Sequence, residues 1–234
     1  MAGMTAAIIV TTCINLSKPD ARLLLTLLTA LSALMGVLST VLAANGSIFN
    51  FLFGLLDVCI YSYVLFDNKM PAQLALHLLY LLPMEFVGFF KWRKLGATAK
   101  EKVKARRLTG KGALYVTGGY VLIFIAMWWI SYFITKGQLS PGDPIPFPKT
   151  CLDAAITAAN IVALVLMSFA YLEQWYLWTL VNVCSIAIWA ATIASEPASA
   201  YTAAILIKYI FYFINGLNGI RIWFRLSAGN GDIA

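Results

Sequence analysis

The chain has 234 residues, of which 61% are hydrophobic and 12% are charged, and its mean hydropathy is +0.82. This is far more apolar than a soluble globular domain, and nothing in the composition indicates a separate soluble domain. The net charge of +7 does not require a nucleic-acid partner, because a solvated cytoplasmic loop that faces anionic membrane lipid accounts for it.

The first 20 residues do not fit a transmembrane span. The apolar run from Met4 to Leu16 is too short to cross a bilayer. No basic segment precedes it, so we do not expect a cleaved signal peptide. Residues 1–20 are predicted to form an N-terminal tail or an interfacial helix that ends before Pro19.

Seven apolar runs of about 20 residues follow, each long enough to cross ~30 Å of hydrocarbon. The predicted spans run from about Arg22 to Ala43, Ser47 to Phe66, Ala72 to Trp92, Ala113 to Thr135, Thr150 to Tyr171, Gln174 to Ala194 and Tyr201 to Phe224. Pro83 predicts a kink inside the third span. The sequence therefore predicts an all-α polytopic membrane protein with seven transmembrane helices.

The basic residues predict how the chain is oriented. The segment from Lys91 to Lys111 holds nine Lys and Arg residues against one acidic residue, Glu101. With seven spans, this segment lies on the same side of the membrane as the C-terminus. The positive-inside rule places both in the cytoplasm and the N-terminus outside.

Two parts of the apolar region resemble each other. Leu56-Asp57-Val58-Cys59 is similar to Val181-Asn182-Val183-Cys184, and the block from Gly88 to Trp92 is similar to that from Gly219 to Trp223. Two three-helix units in the same orientation require an odd number of linking helices, and the fourth span supplies one. We therefore expect a 3+1+3 plan with parallel repeats, as in the sugar-carrying SWEET proteins.

This plan divides the chain into segments. Residues 21–95 and 150–226 are the two predicted repeats. Residues 96–149 are predicted to hold the basic cytoplasmic loop, the linking helix and a proline-rich extracytoplasmic loop. Residues 227–234 are predicted to be a disordered tail.

A stripe of polar and aromatic side chains follows the sixth span. At about 100° per residue, one face of a helix would carry Gln174, Trp175, Trp178, Asn182, Ser185 and Trp189. An unpaired polar group in hydrocarbon costs several kcal/mol, so the stripe indicates an internal cavity. The alternative is an aromatic belt with amides that join helices, which explains Trp175 better than Trp189.

Other spans carry polar stripes as well. Ionisable groups at membrane depth indicate a functional site, although small and polar stripes also serve helix packing. The stripes include Asn50 and Asp57 in the second span, His77 and Tyr80 in the third, Asp153 and Asn160 in the fifth, and Lys208, Tyr212 and Asn215 in the seventh.

The chain lacks the motifs of nucleotide hydrolysis and of common hydrolases. It has no P-loop, no His-Glu-x-x-His and no Gly-x-Ser-x-Gly. The four cysteines have no metal-site spacing, and His77 is the only histidine. We therefore expect no metal and no cofactor, and neither an ATP-driven pump nor an enzyme is favoured.

Four features together resemble one known family. They are the motif Gln174-Trp175-x-x-Trp178-x-x-x-Asn182, the two similar halves, the basic segment before the fourth span, and the closing Gly219-x-x-x-Trp223. They resemble the PnuC family of bacterial nicotinamide riboside transporters, over roughly Ser47 to Arg225. The resemblance implies a SWEET-like fold, a homotrimer, and vitamin uptake across the inner membrane by facilitated diffusion, with trapping by a cytoplasmic kinase. Relatives that carry thiamine or riboflavin leave the vitamin open.

The resemblance also implies a binding site for nicotinamide riboside. Trp175 or Trp178 would stack on the pyridinium ring, a cation–π contact of about 0.5–2 kcal/mol. Amide side chains would pair with the carboxamide or the ribose. The expected substrate-binding residues are Gln174, Trp175, Trp178, Asn182, Asn50, Asp57, Tyr80, Tyr212 and Asn215. No span provides the Arg cluster that a mononucleotide phosphate would require.

Three alternatives remain open from the residues alone. One is a proton-coupled carrier that uses Asp57 or Glu85. Another is an intramembrane enzyme that acts on lipid with Asp57, Glu85 or His77 as acid or base, and the lack of a paired catalytic motif counts against it. The third is a structural or receptor-like membrane protein, which the polar stripes disfavour.

Overall fold

The computed structural model describes residues 2–18, 22–139, 147–195 and 200–228, and these ranges are almost entirely helical. A π-helical turn, His77–Leu81, joins α4 to α5. The helices are α1 (Ala2–Leu16), α2 (Leu23–Ala44), α3 (Asn50–Asp67), α4 (Pro71–Leu76), α5 (Leu82–Lys94), α6 (Gly110–Gln138), α7 (Phe147–Ser168), α8 (Gln174–Ser195) and α9 (Ala200–Ala228).

Within these ranges, six helical segments are long and apolar enough to cross a membrane. They are Leu23–Ala44, Asn50–Asp67, Leu74–Lys94, Gly110–Gly137, Thr150–Ser168 and Gln174–Ala194. The seventh predicted span corresponds to α9, a helix of 29 residues that carries Lys208, Arg221 and Arg225 and is not among the six. Each predicted span agrees with an observed helix to within about one helical turn.

The irregularity expected at Pro83 is the π turn just before it. Pro83 has no N–H to donate to the carbonyl of Leu79, and its ring crowds that carbonyl. The chain instead forms a wider turn, in which the N–H of Leu82 donates to the carbonyl of His77. A π turn inserts one residue into a helix, so the side chains that follow it point in a different direction than in a regular α-helix.

The N-terminal segment forms a packed helix rather than a tail. Helix α1 contacts both α2 and α9. Met4, Ala7 and Ile8 form its buried face, at 2%, 6% and 6% exposure. Gly3 packs against the Phe211 ring of α9, where a Cβ atom would clash with a ring carbon, so this short helix lies close to its neighbour.

Backbone hydrogen bonds join the basic segment before α6 to two turns of the helical bundle. The N–H of Val103 donates to the carbonyl of Gly46, in the turn between α2 and α3, at 3.0 Å. The N–H of Arg106 donates to the carbonyl of Ala170, in the turn between α7 and α8, at 2.8 Å. Val103 and Ala105 are each 1% exposed. We call Val103 to Arg106 the strap; this part of the predicted solvated loop is packed, because its apolar side chains alternate with outward basic ones.

Four aromatic rings form a cluster beneath the strap, which we call the aromatic seal. Phe51 and Trp92 have ring centroids 4.9 Å apart, and those of Trp175 and Trp223 are 6.2 Å apart. All four rings are at most 3% exposed, and they share one hydrophobic core with Val103. The seal therefore closes the end of the bundle at which α2 ends and α3 begins.

The turns at this end share one hydrogen-bonding pattern. Gly46 and Ala170 both have positive φ, +68° and +58°. Their N–H groups donate to the carbonyls of Ala43 and Met167, each at 2.9 Å. The same backbone turn therefore leads into α3 and into α8.

Two loop and tail predictions change. Helix α7 begins at Phe147, within the predicted proline-rich loop, of which residues 140–146 lie outside the described ranges. Helix α9 continues through Ser227, because Arg107 Nε donates to its hydroxyl at 2.9 Å and that hydroxyl donates to the carbonyl of Phe224 at 3.0 Å. The rest of the predicted tail, residues 229–234, lies outside the described ranges.

Candidate functional site

A central cavity of about 400 Å³ lies above the aromatic seal, between α2, α3, α5, α7, α8 and α9. Five of the residues predicted to bind substrate line it. They are Asp57, Trp175, Trp178, Asn182 and Tyr212. The π turn also contributes Leu81, so elements from both ends of the sequence enclose one space.

The aromatic lining of the cavity comes from α8 and α9, and α8 supplies its tryptophans. Trp175 is 3% exposed, and its ring packs against Gly219, where a Cβ atom would lie 2.6 Å from the ring. This close approach requires glycine on α9. Within the described residues the buried Trp175 Nε1 has no hydrogen-bond partner. Trp178 and Asn182 lie one and two turns further along the same face.

Two other predicted site residues lie at the sealed end instead. Asn50 and Gln174 are the first residues of α3 and α8, both are 0% exposed, and neither lines the cavity. Asn50 Nδ2 donates to the carbonyl of Ser47 at 2.8 Å. A helical stripe gives the direction of a side chain but not its depth, which is why both were grouped with cavity residues.

The remaining two are held by backbone carbonyls. The hydroxyl of Tyr80 donates to the carbonyl of Ile161 at 2.7 Å. Asn215 Nδ2 donates to the carbonyl of Thr40 at 3.3 Å. Neither side chain lines the cavity. In this structure both join helices to one another.

The acidic wall contains a residue absent from the predicted set. Glu85 lines the cavity together with Asp57. Its carboxylate lies against α3 at Gly54, where a Cβ atom would be 2.6 Å from either oxygen. Glu85 Oε2 is buried and has no hydrogen-bond partner within the described residues. Asp57 accepts a hydrogen bond from the hydroxyl of Ser32 on α2.

The π turn explains why Glu85, which the sequence offered as a proton-coupling or acid–base candidate, was not among the predicted substrate-binding residues. In a regular helix, Tyr80 and Met84 would share the face that carries His77. The extra residue of the π turn shifts that face, so that Leu81 and Glu85 line the cavity. The sequence signal for this π turn is Pro83, a proline within a predicted span.

Lining residues from the two halves occupy matching positions. Counting from the matching turns, Gly54, Asp57 and Val58 on α3 correspond to Trp178, Val181 and Asn182 on α8, and all six line the cavity. The internal sequence similarity pairs Asp57 with Asn182, whereas counting from the turns pairs Asp57 with Val181, one residue earlier. Residues at the same distance from the two turns therefore line the cavity with different side chains: small and acidic on α3, aromatic and amide on α8.

A second cavity of about 460 Å³, which we call the vestibule, adjoins the first. The two share Gly36, Asp57 and Tyr212. Helix α1 lines the vestibule with Thr11 and Asn15, which also line a third pocket at the end of the bundle opposite the seal. A polar path therefore leads from the central cavity toward that end, and α1 is part of its wall.

Within the described ranges, no group of three or more His, Cys, Asp or Glu side chains could hold a metal ion. Cys13, Cys59, Cys151 and Cys184 are unpaired. The chemistry that the cavity offers is therefore recognition by aromatic, amide, hydroxyl and carboxyl groups.

Comparison with known proteins identifies the family. The profile of the nicotinamide mononucleotide transporter family matches residues 26–225. The nicotinamide riboside transporter PnuC of Neisseria mucosa is 35% identical over 204 residues, which cover 85% of this chain and 72% of the relative. This chain belongs to the PnuC family.

Other PnuC proteins extend the match. The nicotinamide riboside transporter PnuC of Haemophilus influenzae is 31% identical over 85% of this chain and 80% of its own length, and that of Escherichia coli is 26% identical over 88% of each. A crystal structure of the vitamin B3 transporter PnuC superposes with a TM-score of 0.66 at 31% identity, covering 97% of this chain and 91% of that one. The PnuC assignment confirms the resemblance in the sequence and makes the chain a multi-pass membrane transporter rather than an enzyme.

Proposed function

We propose that this PnuC protein carries nicotinamide riboside across the bacterial inner membrane by facilitated diffusion, with trapping of the substrate by a cytoplasmic kinase. The observation that supports it is the central cavity, in which Trp175 and Trp178 share one space with Asp57 and Asn182. PnuC proteins of three bacteria carry this substrate in their names.

The cavity suits the chemistry of this substrate. Nicotinamide riboside has a pyridinium cation, a carboxamide and ribose hydroxyls. A tryptophan face attracts the cation, and Asn182, Asn160 and the Tyr212 hydroxyl offer partners for the carboxamide and the ribose. A volume of about 400 Å³ is within the range of small-molecule sites.

The lining favours the riboside over the mononucleotide. A phosphate group is recognised by Arg, Lys or a cluster of N–H donors. Within the described residues, no Lys or Arg lines the central cavity. We therefore propose nicotinamide riboside, the substrate in the names of the individual relatives, rather than nicotinamide mononucleotide, the substrate in the name of the family.

The proposed architecture has seven spans in a 3+1+3 arrangement with parallel repeats, as in SWEET proteins. In it, α2 to α5 form the first repeat, α6 is the linking helix, and α7 to α9 form the second. The matching turns and the matching lining positions support it. The strap and the C-terminus then lie in the cytoplasm and the N-terminus outside, so that the seal faces inward and the vestibule outward. The proposed assembly is a homotrimer.

No coupling ion is needed for uptake of this substrate. The membrane potential draws a cation inward with about 2.3 kcal/mol per charge per 100 mV, and trapping maintains the inward gradient. A proton-coupled carrier is the second candidate, because Asp57 and Glu85 both line the cavity.

Transport in proteoliposomes tests the proposal. Labelled nicotinamide riboside should equilibrate without a proton or sodium gradient and should exchange against unlabelled substrate on the far side. Accumulation only under an imposed ion gradient at zero potential would support the proton- or sodium-coupled alternative. Calorimetry with thiamine, riboflavin and a sugar should show weaker binding than with nicotinamide riboside. Tighter binding of another vitamin would identify that vitamin as the substrate instead.

A further inference from the structure

The charge of the central cavity is one-sided. Asp57 and Glu85 are its acidic lining residues, and within the described residues no Lys, Arg or His lines it. The described part of the chain has one ion pair, Arg22 with Asp67, so neither cavity carboxyl is neutralised by Lys or Arg. Two carboxyl groups in a low-dielectric site are costly without a positive charge nearby.

The chain brings the two carboxyl groups close together. Gly54 and Asp57 are one turn apart on α3, and the Glu85 carboxylate lies against Gly54. Asp57 and Glu85 both line this one cavity. Any side chain at position 54 would occupy the space that the Glu85 oxygens fill, so Gly54 determines where this charge lies.

Other charged groups face Asp57 from the vestibule. His77 and Lys208 line the vestibule, which Asp57 also lines, and neither lines the central cavity. Lys208 Nζ lies over the Tyr209 ring, 5.1 Å from its centroid. The basic groups therefore lie on the vestibule side, and the position beside Glu85 has no basic partner within the described residues.

The aromatic half of the cavity complements this charge. Trp178 occupies the position on α8 that corresponds to Gly54 on α3, and both residues line the shared cavity. A flat cation placed against the indole would share this space with the carboxyl groups. An aromatic face and a carboxylate together recognise a cation better than either alone.

We propose that Glu85, with Asp57, makes the cavity select a positively charged flat ring over an uncharged ring of the same shape. This rests on the proposed function, since it concerns the site that would hold nicotinamide riboside. Glu85 supplies the charge that selects, Gly54 places it, and Trp178 supports the ring.

Calorimetry on the purified protein tests this with two ligands. Nicotinamide riboside carries the positive ring, and reduced dihydronicotinamide riboside has the same ribose and carboxamide without the charge. Wild-type protein should bind the charged form at least about tenfold more tightly. Glu85→Gln should reduce that preference by about tenfold, mainly by weakening binding of the charged form.

Matched variants separate charge from folding. Asp153 is a carboxylate in α7 that accepts a hydrogen bond from Ser131 at 2.8 Å and does not line the cavity, so Asp153→Asn should keep the preference. Gly54→Ala keeps the Glu85 charge but displaces it, and should also lower the preference. If Glu85→Gln does not fold, the preference of Gly54→Ala for the charged ligand tests the proposal in its place.

Different failures have different meanings. Equal binding of both forms by wild-type protein overturns the selectivity proposal and leaves the proposed function standing. An unchanged preference in both Glu85→Gln and Asp57→Asn also overturns it. Wild-type protein that binds neither form overturns the proposed function as well.

Discussion

Trp92 and Trp223 pack edge to face in the aromatic seal, with ring centroids 5.4 Å apart and planes at 60°. Each indole N–H donates to a helix of the other half: Trp92 to the carbonyl of Met167 on α7 at 2.8 Å, and Trp223 to that of Ala43 on α2 at 3.0 Å. Both rings are 0% exposed. Reciprocal hydrogen bonds therefore join the halves at this end, in addition to apolar contact.

Replacing either tryptophan by phenylalanine should destabilise the protein. Trp92→Phe and Trp223→Phe each remove a buried hydrogen bond and leave a small void, so each should lower the free energy of unfolding by about 1–3 kcal/mol. Unfolding in detergent, followed by far-UV circular dichroism, measures this. Trp129→Phe, at a ring that is 46% exposed, is the control and should have little effect. Equal stability of all three variants would contradict the reciprocal bonds.

Trp178→Ala should weaken binding of nicotinamide riboside by about 1–3 kcal/mol, because the cavity would lose one aromatic face. Titration calorimetry gives the affinity, and unfolding in detergent verifies that the fold is retained. Trp189→Ala is the matched control, since Trp189 lies on the same helix and does not line the cavity. An unchanged affinity of Trp178→Ala would remove Trp178 from the site.

Gly219→Ala should lower stability and weaken binding together. A Cβ atom there would lie 2.6 Å from the Trp175 ring, so the ring or the helix must move, at a cost of about 1–3 kcal/mol. Gly118 in α6 has no atom within 4 Å of such a Cβ, so Gly118→Ala should be neutral or stabilising by up to about 1 kcal/mol. A Gly219→Ala protein as stable as Gly118→Ala would mean that this contact does not determine the position of Trp175.

Labelling of single cysteines should reveal the orientation, in a background without the four native cysteines. Lys102→Cys, next to the strap, should resist a membrane-impermeant maleimide in intact cells and react after permeabilisation. Lys136→Cys, near the other end of α6, should react in intact cells. Both native side chains are exposed, so accessibility is not limited by packing. The opposite pattern would invert the orientation.

Six of the seven predicted spans coincide with helices that, within the described residues, are long and apolar enough to cross a membrane, because bilayer thickness fixes the length of a span. Stripe angles likewise placed Trp175, Trp178 and Asn182 on one face, and all three line the cavity. Gln174 has the same direction but lies at the sealed end, since the angle says nothing about depth. The face of a helix on which a side chain lies is a local property. The depth of that side chain in the bundle depends on how the turns before α3 and α8 pack together.

Three features could not be predicted completely from local sequence patterns. The π turn moved the lining face from Met84 to Glu85, and its geometry follows from how the helix accommodates Pro83. The strap pairs with two turns that are distant in sequence. Helix α1 is too short to be recognised as a span, and its role in the vestibule wall depends on packing against α2 and α9.

The strap limits how far the two halves can separate at the sealed end. Its two anchors, the N–H groups of Val103 and Arg106, are three residues apart, and three residues of extended chain reach at most about 10 Å. While both bonds hold, the turns at Gly46 and Ala170 are tethered within that length plus the two hydrogen bonds. This end therefore behaves as an inextensible joint. Widening the gap between the turns beyond this length requires the loss of the Val103 hydrogen bond, or of both the Arg106 hydrogen bond and the bond that the Leu172 N–H donates to the carbonyl of Arg106.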